Sequence, residues 1–355
     1  MHTDTPYKIG ILIPAYNEEV VIKGTIESLI NAGCSKSHIY VVDDKSTDNT
    51  AEIASSTGVN VYTVDENGGK ANAQRKAIQY FLLLERYDWV IFMDGDTKVD
   101  ENFLKAFSDA IYNDSTVGLY VGQVKSVKNN HIYSASRAFE YTYGQDVAKQ
   151  GQSNFNVIYV SPGCASMYRT DVLSMLTIDH MTLAEDMDLT MQVHRAKFKI
   201  SYVPDAIVNT QDPSTFKDYH KQILRWYRGF WQIIKKHRIF AISKKQPVDF
   251  YMMLVVFDAL ILNRIIWIAI FAATMPWVLP TLMLIDVGCC TLIACYSGFR
   301  TKRLDVVYKL PLYYWLSYVN FYAYMRAFVE IIVCKKELLA WNKVKRYDFN
   351  SHINT

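Results

Sequence analysis

Short unbroken apolar runs that stop at carboxylates constrain this chain more than any other feature. Residues 39–42 (IYVV) run into Asp43-Asp44, and residues 89–93 (WVIFM) run into Asp94-Gly95-Asp96. Residues 7–14 (YKIGILIP), closed by a proline, and residues 59–64 are further runs of the same kind. Runs of this length without polar alternation belong to strands covered on both faces. Helical patterns separate them. Asn17-Glu18-Glu19 opens one in which Val20, Ile22, Ile26, Leu29 and Ile30 fall near helical spacing, with Gly33 ending it, and residues 70–85 predict another. Strands alternating with helices predict an α/β fold with a mostly parallel central sheet and right-handed crossovers. Ligands of such sheets bind beyond the carboxyl ends of the strands. Asp43, Asp44, Asp94 and Asp96 all fall there, which argues for a site more strongly than the number of acids does.

The pattern changes after residue 116. Residues 117–124 and 157–160 read as strands of a second half, 134–149 as a helix carrying Phe139, Tyr141 and Tyr143, and 198–203 as a strand ended by Pro204-Asp205. Hydrophobic residues make up 50% of the chain but are unevenly spread: residues 1–235 have the texture of soluble protein, and 248–334 are far more apolar. Residues 216–240 set Ile223, Trp226, Tyr227, Phe230, Trp231 and Ile234 against Lys221, Arg225, Arg228, Lys235 and Lys236. Such a segment is either an interfacial helix on an anionic leaflet or a surface helix of the soluble part.

Residues 250–273 and 275–297 are each long enough to cross a bilayer, although the first holds Asp258, Asn263 and Arg264, which must then face partners or water. Residues 306–334 carry Lys309, Pro311, Arg326 and Glu330. The basic stretches at 235–245 and 300–303 and the basic tail all belong on the cytosolic side if 306–334 lies in the interface rather than spanning. Three regions are therefore expected: a cytosolic catalytic domain over 1–215, an amphipathic interface helix over 216–245, and a membrane region over 246–355. The start of the chain, through Lys8, lacks the apolar core of a signal peptide, which places the large N-terminal part in the cytosol of a multi-pass protein of the cell membrane.

Composition excludes some classes. A formal net charge of +3, with no long basic block, gives nucleic acid nothing to bind. The six cysteines show neither a Cys-x-x-Cys pair nor histidine partners at zinc spacing, so they read as free thiols.

The motifs carry specific chemistry. Asp94 and Asp96, one glycine apart after a strand, can hold a hard divalent cation, magnesium or manganese, whose shell phosphates complete; alone, the same residues make a plain Asp-Gly turn. Asp43-Asp44 can accept hydrogen bonds from a nucleobase or ribose, while Asp48 caps the helix starting near Asn49. Gly68-Gly69-Lys70 opens a helix whose N-terminus and lysine favour a diphosphate. Glu185-Asp186 offers a general base for an acceptor hydroxyl, although spacing alone favours two acids answering a helix dipole. Gln222, Arg225 and Trp226 share one helix face, where a guanidinium fork suits a diphosphate and an indole suits a sugar ring; a membrane-anchoring helix explains the same residues equally well.

Taken in order, the set resembles the membrane-bound processive branch of glycosyltransferase family 2, which includes cellulose, hyaluronan, chitin-oligosaccharide and poly-N-acetylglucosamine synthases. The resemblance rests on Ile13-Pro14-Ala15-Tyr16-Asn17-Glu18-Glu19, Asp43-Asp44-Lys45-Ser46-Thr47-Asp48, Asp94-Gly95-Asp96, Glu185-Asp186, Gln222-x-x-Arg225-Trp226 and, for the loop under the acceptor sugar, Ser161-Pro162-Gly163-Cys164-Ala165. Trp341 and Arg346 are similar to a gating-loop pair of that family. The resemblance implies a GT-A nucleotide-sugar-binding fold and an inverting transfer. A UDP-sugar would lie with its base and ribose near Ala15, Tyr16, Glu18, Asp43 and Asp44. Asp96, with Asp94, would hold Mg²⁺ or Mn²⁺, with Lys70 near the diphosphate. Asp186, beside Glu185, would be the base, Gly163 and Cys164 would adjoin the acceptor, and Arg225 would neutralise the departing nucleotide while Trp226 stacks on the acceptor beside Gln222.

Ala184 stands where the family usually has threonine, which leaves both acids in place. The resemblance implies a saccharide acceptor and surrounding lipids. Few apolar segments are present for a polymer channel, so self-assembly or a channel-forming partner is expected if a long chain is translocated. The rival expectation is a non-processive transferase that adds one sugar to a lipid, as ceramide-type glucosyltransferases do. From another class, a catalytically silent scaffold would lack acids at one motif or more; here every motif keeps them.

Overall fold

The computed structural model describes residues 7–127, 133–241, 245–262 and 264–338. They form two compact units. One takes in the described residues of Met1–Asn129, Lys149–Gln211 and Leu338–Thr355, the other those of Asn130–Ala148 and Asp212–Glu337.

The first unit is built on one eight-stranded sheet. Its strands are β1 (Ile9–Ala15), β2 (Ile39–Asp43), β3 (Asn60–Thr63), β4 (Trp89–Phe92), β5 (Thr97–Val99), β6 (Leu119–Ser126), β7 (Ser166–Arg169) and β8 (Ile200–Thr210). They lie in the order β3-β2-β1-β4-β7-β6-β8-β5. The β3-β2-β1-β4 half is parallel throughout and β6 pairs β8 in parallel, while β7 and β5 pair antiparallel with their neighbours. The sheet is thus mixed and mostly parallel. All of β2 and β4, and all but the first residue of β1, are buried, as the unbroken apolar runs require. The Ile22–Asn31 helix buries Ile22, Ile26 and Leu29 and stops before Gly33, whose φ of +92° suits glycine.

In this unit three expectations change. The helix expected over 70–85 is two pieces, Lys70–Tyr80 and Leu83–Arg86, because Leu82 takes the left-handed conformation at φ +52°. Residues 157–160 form no strand. Their polar backbone is taken up elsewhere: the Val157 amide donates to the Gln152 carbonyl, His194 Nε2 bonds the Ile158 carbonyl, and Lys149 Nζ donates to the Val160 carbonyl. The strand of this region is β7. Finally, β8 runs through Pro204-Asp205 instead of ending there. The pairing with β6 jumps from Gly122–Val203 to Gln123–Ile207, so the proline sits in a bulge where no ladder donor is needed. Gly122 permits the close approach, since a Cβ there would stand 2.6 Å from the Ala206 carbonyl oxygen.

The second unit is helical. Ser134–Tyr141 continues as a π-helical stretch, Thr142–Lys149, rather than one regular helix. Phe216–Lys236 is a single helix, capped by Thr215, whose hydroxyl oxygen accepts from the Asp218 amide. Then come Pro247–Phe257, a π-turn at Asp258–Leu262, Arg264–Thr274, Leu279–Thr301, Asp305–Tyr308, Leu310–Phe328 and a last π-turn at Val329–Val333. Ala135, Ala138, Phe139, Cys290, Ala294, Val306 and Leu310 form one apolar cluster. Among the described residues, Leu279–Thr301 is the one helix long and apolar enough to cross a bilayer. Its Leu284 and Leu292 are 74% and 72% exposed. The charges of 306–334 are met within the unit: Glu330 pairs with Arg228 at 2.7 Å and with Arg326 at 3.1 Å. Trp341 and Arg346 lie outside the described residues.

Candidate functional site

The loops after β1 and β2 are stitched together. The Asp44 amide donates to the Ala15 carbonyl at 2.8 Å, the Glu18 amide to Thr50 Oγ1 at 2.7 Å, and the Thr47 amide to Asn17 Oδ1 at 2.8 Å. Asp48 Oδ1 accepts from the Thr50 amide at 3.0 Å, but the N-cap of the Thr50–Ser56 helix is Asn49, so Asp48 closes a local turn rather than capping the helix as expected. Tyr16 and Glu18 therefore stand at the carboxyl edge of the sheet next to Asp43 and Asp44. Glu18 also adjoins the Asp94-Gly95-Asp96 turn, since a Cβ on Gly95 would lie 3.3 Å from Glu18 Cγ. That turn is held by Thr25 Oγ1 on the Gly95 carbonyl and Thr97 Oγ1 on the Asp94 carbonyl, both at 2.9 Å.

Asp43 and Asp44 have distinct jobs. Asp43, 2% exposed, accepts from the Ser46 amide with both oxygens at 3.3 Å. Asp44 reaches the other way: Oδ1 accepts from the Gly68 amide at 3.1 Å and Oδ2 from the Gly69 amide at 2.8 Å. Burial pushes the Asp44 carboxyl upward, and the two glycine amides pull against it. Gly69, at φ +81°, turns the chain into the Lys70–Tyr80 helix.

Lys70 is the centre of the acidic cluster. Its Nζ lies 2.6 Å from Asp94 Oδ1 and 2.9 Å from Glu185 Oε1. It also packs on Gly163, where a Cβ would come within 2.5 Å of Nζ. Burial opposes the charge on Lys70, yet the carboxylates of Asp94, Glu185 and Asp186 outweigh it and hold the ammonium well above its ordinary pKa. One lysine thus gathers residues from three sequence motifs.

Glu185 and Asp186 begin the Glu185–Arg195 helix. Asp186 Oδ1 accepts from the Met187 amide at 2.8 Å and Oδ2 from the Gly163 amide at 3.2 Å. The helix-dipole reading and the base reading are compatible: the Gly163 and Met187 amides orient the carboxylate at the start of the helix. Cys164 is buried beside this group. Burial, then the Asp94 charge, push its thiol far up, which makes it a small neutral wall rather than a nucleophile.

Lys149 is a residue that no motif singled out. It is 4% exposed and donates to the Val160 carbonyl at 3.0 Å, anchoring the loop that leads to Gly163. Burial lowers its pKa from 10.5 to about 8, against the pull of Asp186 and Cys164. A depressed folded-state value means that its contribution to stability is complete above the unfolded value of about 10.5 and is lost as pH falls through about 8. Lys149→Met should remove this dependence. The stability of the natural protein relative to the variant should rise by about 2 kcal/mol between about pH 7.5 and pH 10. Urea unfolding at the two values measures it, and a constant difference would refute the assignment.

In the second unit, Gln222, Arg225 and Trp226 lie on the Phe216–Lys236 helix. Gln222 Oε1 accepts from Arg137 Nη2 at 2.7 Å, and the Arg137 guanidinium lies over the Trp226 ring at 4.8 Å. Sequence reasoning passed over Arg137; a lone arginine in a helix of small residues and aromatics was its only signal.

A divalent cation fits the donor chemistry. Asp94 and Asp96 offer oxygen only, and Asp96 is 4% exposed. Among the described residues no group of three or more His, Cys, Asp or Glu side chains could hold an ion. Magnesium and manganese suit this, because they are commonly bound through one or two carboxylates plus substrate phosphates.

Residues 6–229 match the family model described as glycosyltransferase like family 2. A probable glycosyltransferase of Bacillus subtilis (strain 168), YdaM, is 24% identical over 377 residues, covering 96% of this chain and 87% of that protein. The poly-beta-1,6-N-acetyl-D-glucosamine synthase of Staphylococcus aureus (strain COL) is 25% identical over 267 residues, covering 74% of this chain. The match spans 63% of that synthase's length. Among solved structures, the mannosyltransferase PcManGT from Pyrobaculum calidifontis, in complex with GDP-Man and Mn²⁺, superposes with a TM-score of 0.60 at 18% identity, covering 93% of this chain and 88% of that one. That likeness is one of fold and identifies the mixed sheet as GT-A-like. Because the family model takes in more than half of the chain, the protein belongs to glycosyltransferase family 2 and is a glycosyltransferase.

Proposed function

We propose that this enzyme is an inverting, metal-dependent, membrane-attached transferase that takes a uridine-diphosphate sugar, UDP-N-acetylglucosamine foremost, and extends a β-linked polysaccharide. The observation that carries the reading is the cluster around Lys70, in which Asp94, Gly163, Glu185 and Asp186 converge beyond the strand ends. The similarity to a poly-N-acetylglucosamine synthase supports the choice of sugar and product. Leu279–Thr301, with exposed leucines along it, supports attachment to a bilayer.

In this reading Asp186 takes the proton of the acceptor hydroxyl as that oxygen attacks the anomeric carbon from the side opposite the diphosphate. The carbon–oxygen bond to the diphosphate breaks, and the configuration inverts. The Gly163 and Met187 amides hold the Asp186 oxygens for that step. Lys70 and the helix N-terminus it occupies attract the diphosphate. A divalent ion held by Asp94 and Asp96 would stabilise the developing phosphate charge. Glu18 and the Asp43–Asp44 turn border the nucleoside, Gly163 and Cys164 the acceptor, and Trp226 offers an aromatic face to a sugar.

The test is the purified enzyme in lipid or detergent with a panel of UDP-sugars and Mn²⁺, followed by mass analysis. A ladder of products from UDP-N-acetylglucosamine is expected. A single sugar on a lipid would establish the non-processive alternative, and no transfer from any UDP-sugar would overturn the reading.

A further inference from the structure

Arg137 has no place in the chemistry above, yet it is one of the largest fully buried side chains of the protein, at 1% exposure. A guanidinium removed from water is costly unless its charge and donors are met. Nη1 donates to Glu140 Oε2 at 2.8 Å and Nη2 to Gln222 Oε1 at 2.7 Å. Its central carbon lies 4.8 Å from the ring centroids of both Tyr219 and Trp226. Two of these four partners are members of the Gln222-x-x-Arg225-Trp226 motif.

The other two partners are fixed in turn. Glu140 Oε1 accepts from Asn320 Nδ2 at 3.3 Å, and Asn320 Oδ1 accepts from the Tyr219 hydroxyl at 2.9 Å. The circuit from Arg137 through Glu140, Asn320 and Tyr219 back to the guanidinium is closed, and it draws on three different helices. Trp226 is the partner that reaches the surface, with 37% of it exposed. A planar cation that bonds one motif residue and lies over the ring of another fixes both at once, which a lysine lacking the fork and the flat face cannot do.

We propose that Arg137 is a positioning residue for this motif: it sets the plane of the Trp226 indole and the direction of the Gln222 carboxamide, so that a sugar meets an aromatic face already oriented. The sugar-binding half of the statement rests on the function proposed above; the orientation of the indole does not.

The test uses the full-length protein labelled with 5-fluorotryptophan and observed by ¹⁹F NMR. The chain has seven tryptophans, and the Trp226 line is the one missing from Trp226→Phe. In Arg137→Met and Arg137→Lys the Trp226 line is expected to shift or broaden while lines of distant tryptophans stay in place. An unmoved Trp226 line in either variant would overturn the proposal. If Arg137→Met does not fold, Arg137→Lys, which keeps the charge, decides alone. In Arg137→Lys, transfer from UDP-N-acetylglucosamine to a β-linked N-acetylglucosamine tetrasaccharide should fall about tenfold, with hydrolysis of the donor by water retained. Equal loss of both reactions would assign Arg137 to the fold only. A natural enzyme that transfers no sugar would defeat the proposed function, and the ¹⁹F line would still judge Arg137.

Discussion

Asp186→Asn is expected to lower sugar transfer by about 10²- to 10⁴-fold, the usual contribution of a positioned base, and to leave nucleotide binding nearly unchanged. Of the two adjacent acids, Glu185 is tied to Lys70 at 2.9 Å, whereas Asp186 is held by the amides of Gly163 and Met187. Asparagine has the same shape and keeps one acceptor, its carbonyl oxygen, for one of the two amides, while its NH2 group replaces the other acceptor, so the fold should survive. It cannot take a proton from an alcohol. Single-turnover transfer measures the first effect and calorimetry with UDP the second. Transfer at the natural rate would remove Asp186 as the base.

Lys70→Met should weaken the donor by about tenfold or more, equivalent to about 1.4 kcal/mol, and should at the same time strengthen the binding of Mn²⁺ in the absence of nucleotide. Methionine approximates the length of the side chain and deletes its charge. In the natural protein the ammonium lies against Asp94 Oδ1 and Glu185 Oε1. It thereby neutralises part of the acidic cluster when no diphosphate is present. Without it, the carboxylates repel one another and attract any available cation more strongly. Titration of free Mn²⁺ by electron paramagnetic resonance reads the ion, and the KM for the UDP-sugar reads the donor. Unaltered values for both would show that Lys70 serves neither.

Much of the first unit was legible because its determinants are local. The runs that became β1, β2 and β4 are buried on both faces, so their composition alone marked them, and the acids beyond them followed from strand direction. Lys70 could be placed at a helix start from Gly68-Gly69, but not against Asp94 and Glu185, because the contact joins chain segments that no periodicity relates. The same reason hid Arg137, whose partner Gln222 is 85 positions away. Residues 157–160 were misleading since valines and aromatics favour strands, while here side chains of Lys149 and His194 take the carbonyls a neighbouring strand would have used. Pro204 misled in the opposite sense, for a bulge absorbs it inside β8.

The grip of Asp44 on the amides of Gly68 and Gly69 has a thermodynamic consequence. A glycine pair left to itself samples many shapes, and a ligand that had to freeze it would lose affinity to that ordering. Here a carboxylate from the neighbouring strand end has already chosen the shape. In the proposed function the diphosphate would meet this turn already shaped, and less of the free energy of its contacts would go into ordering the chain.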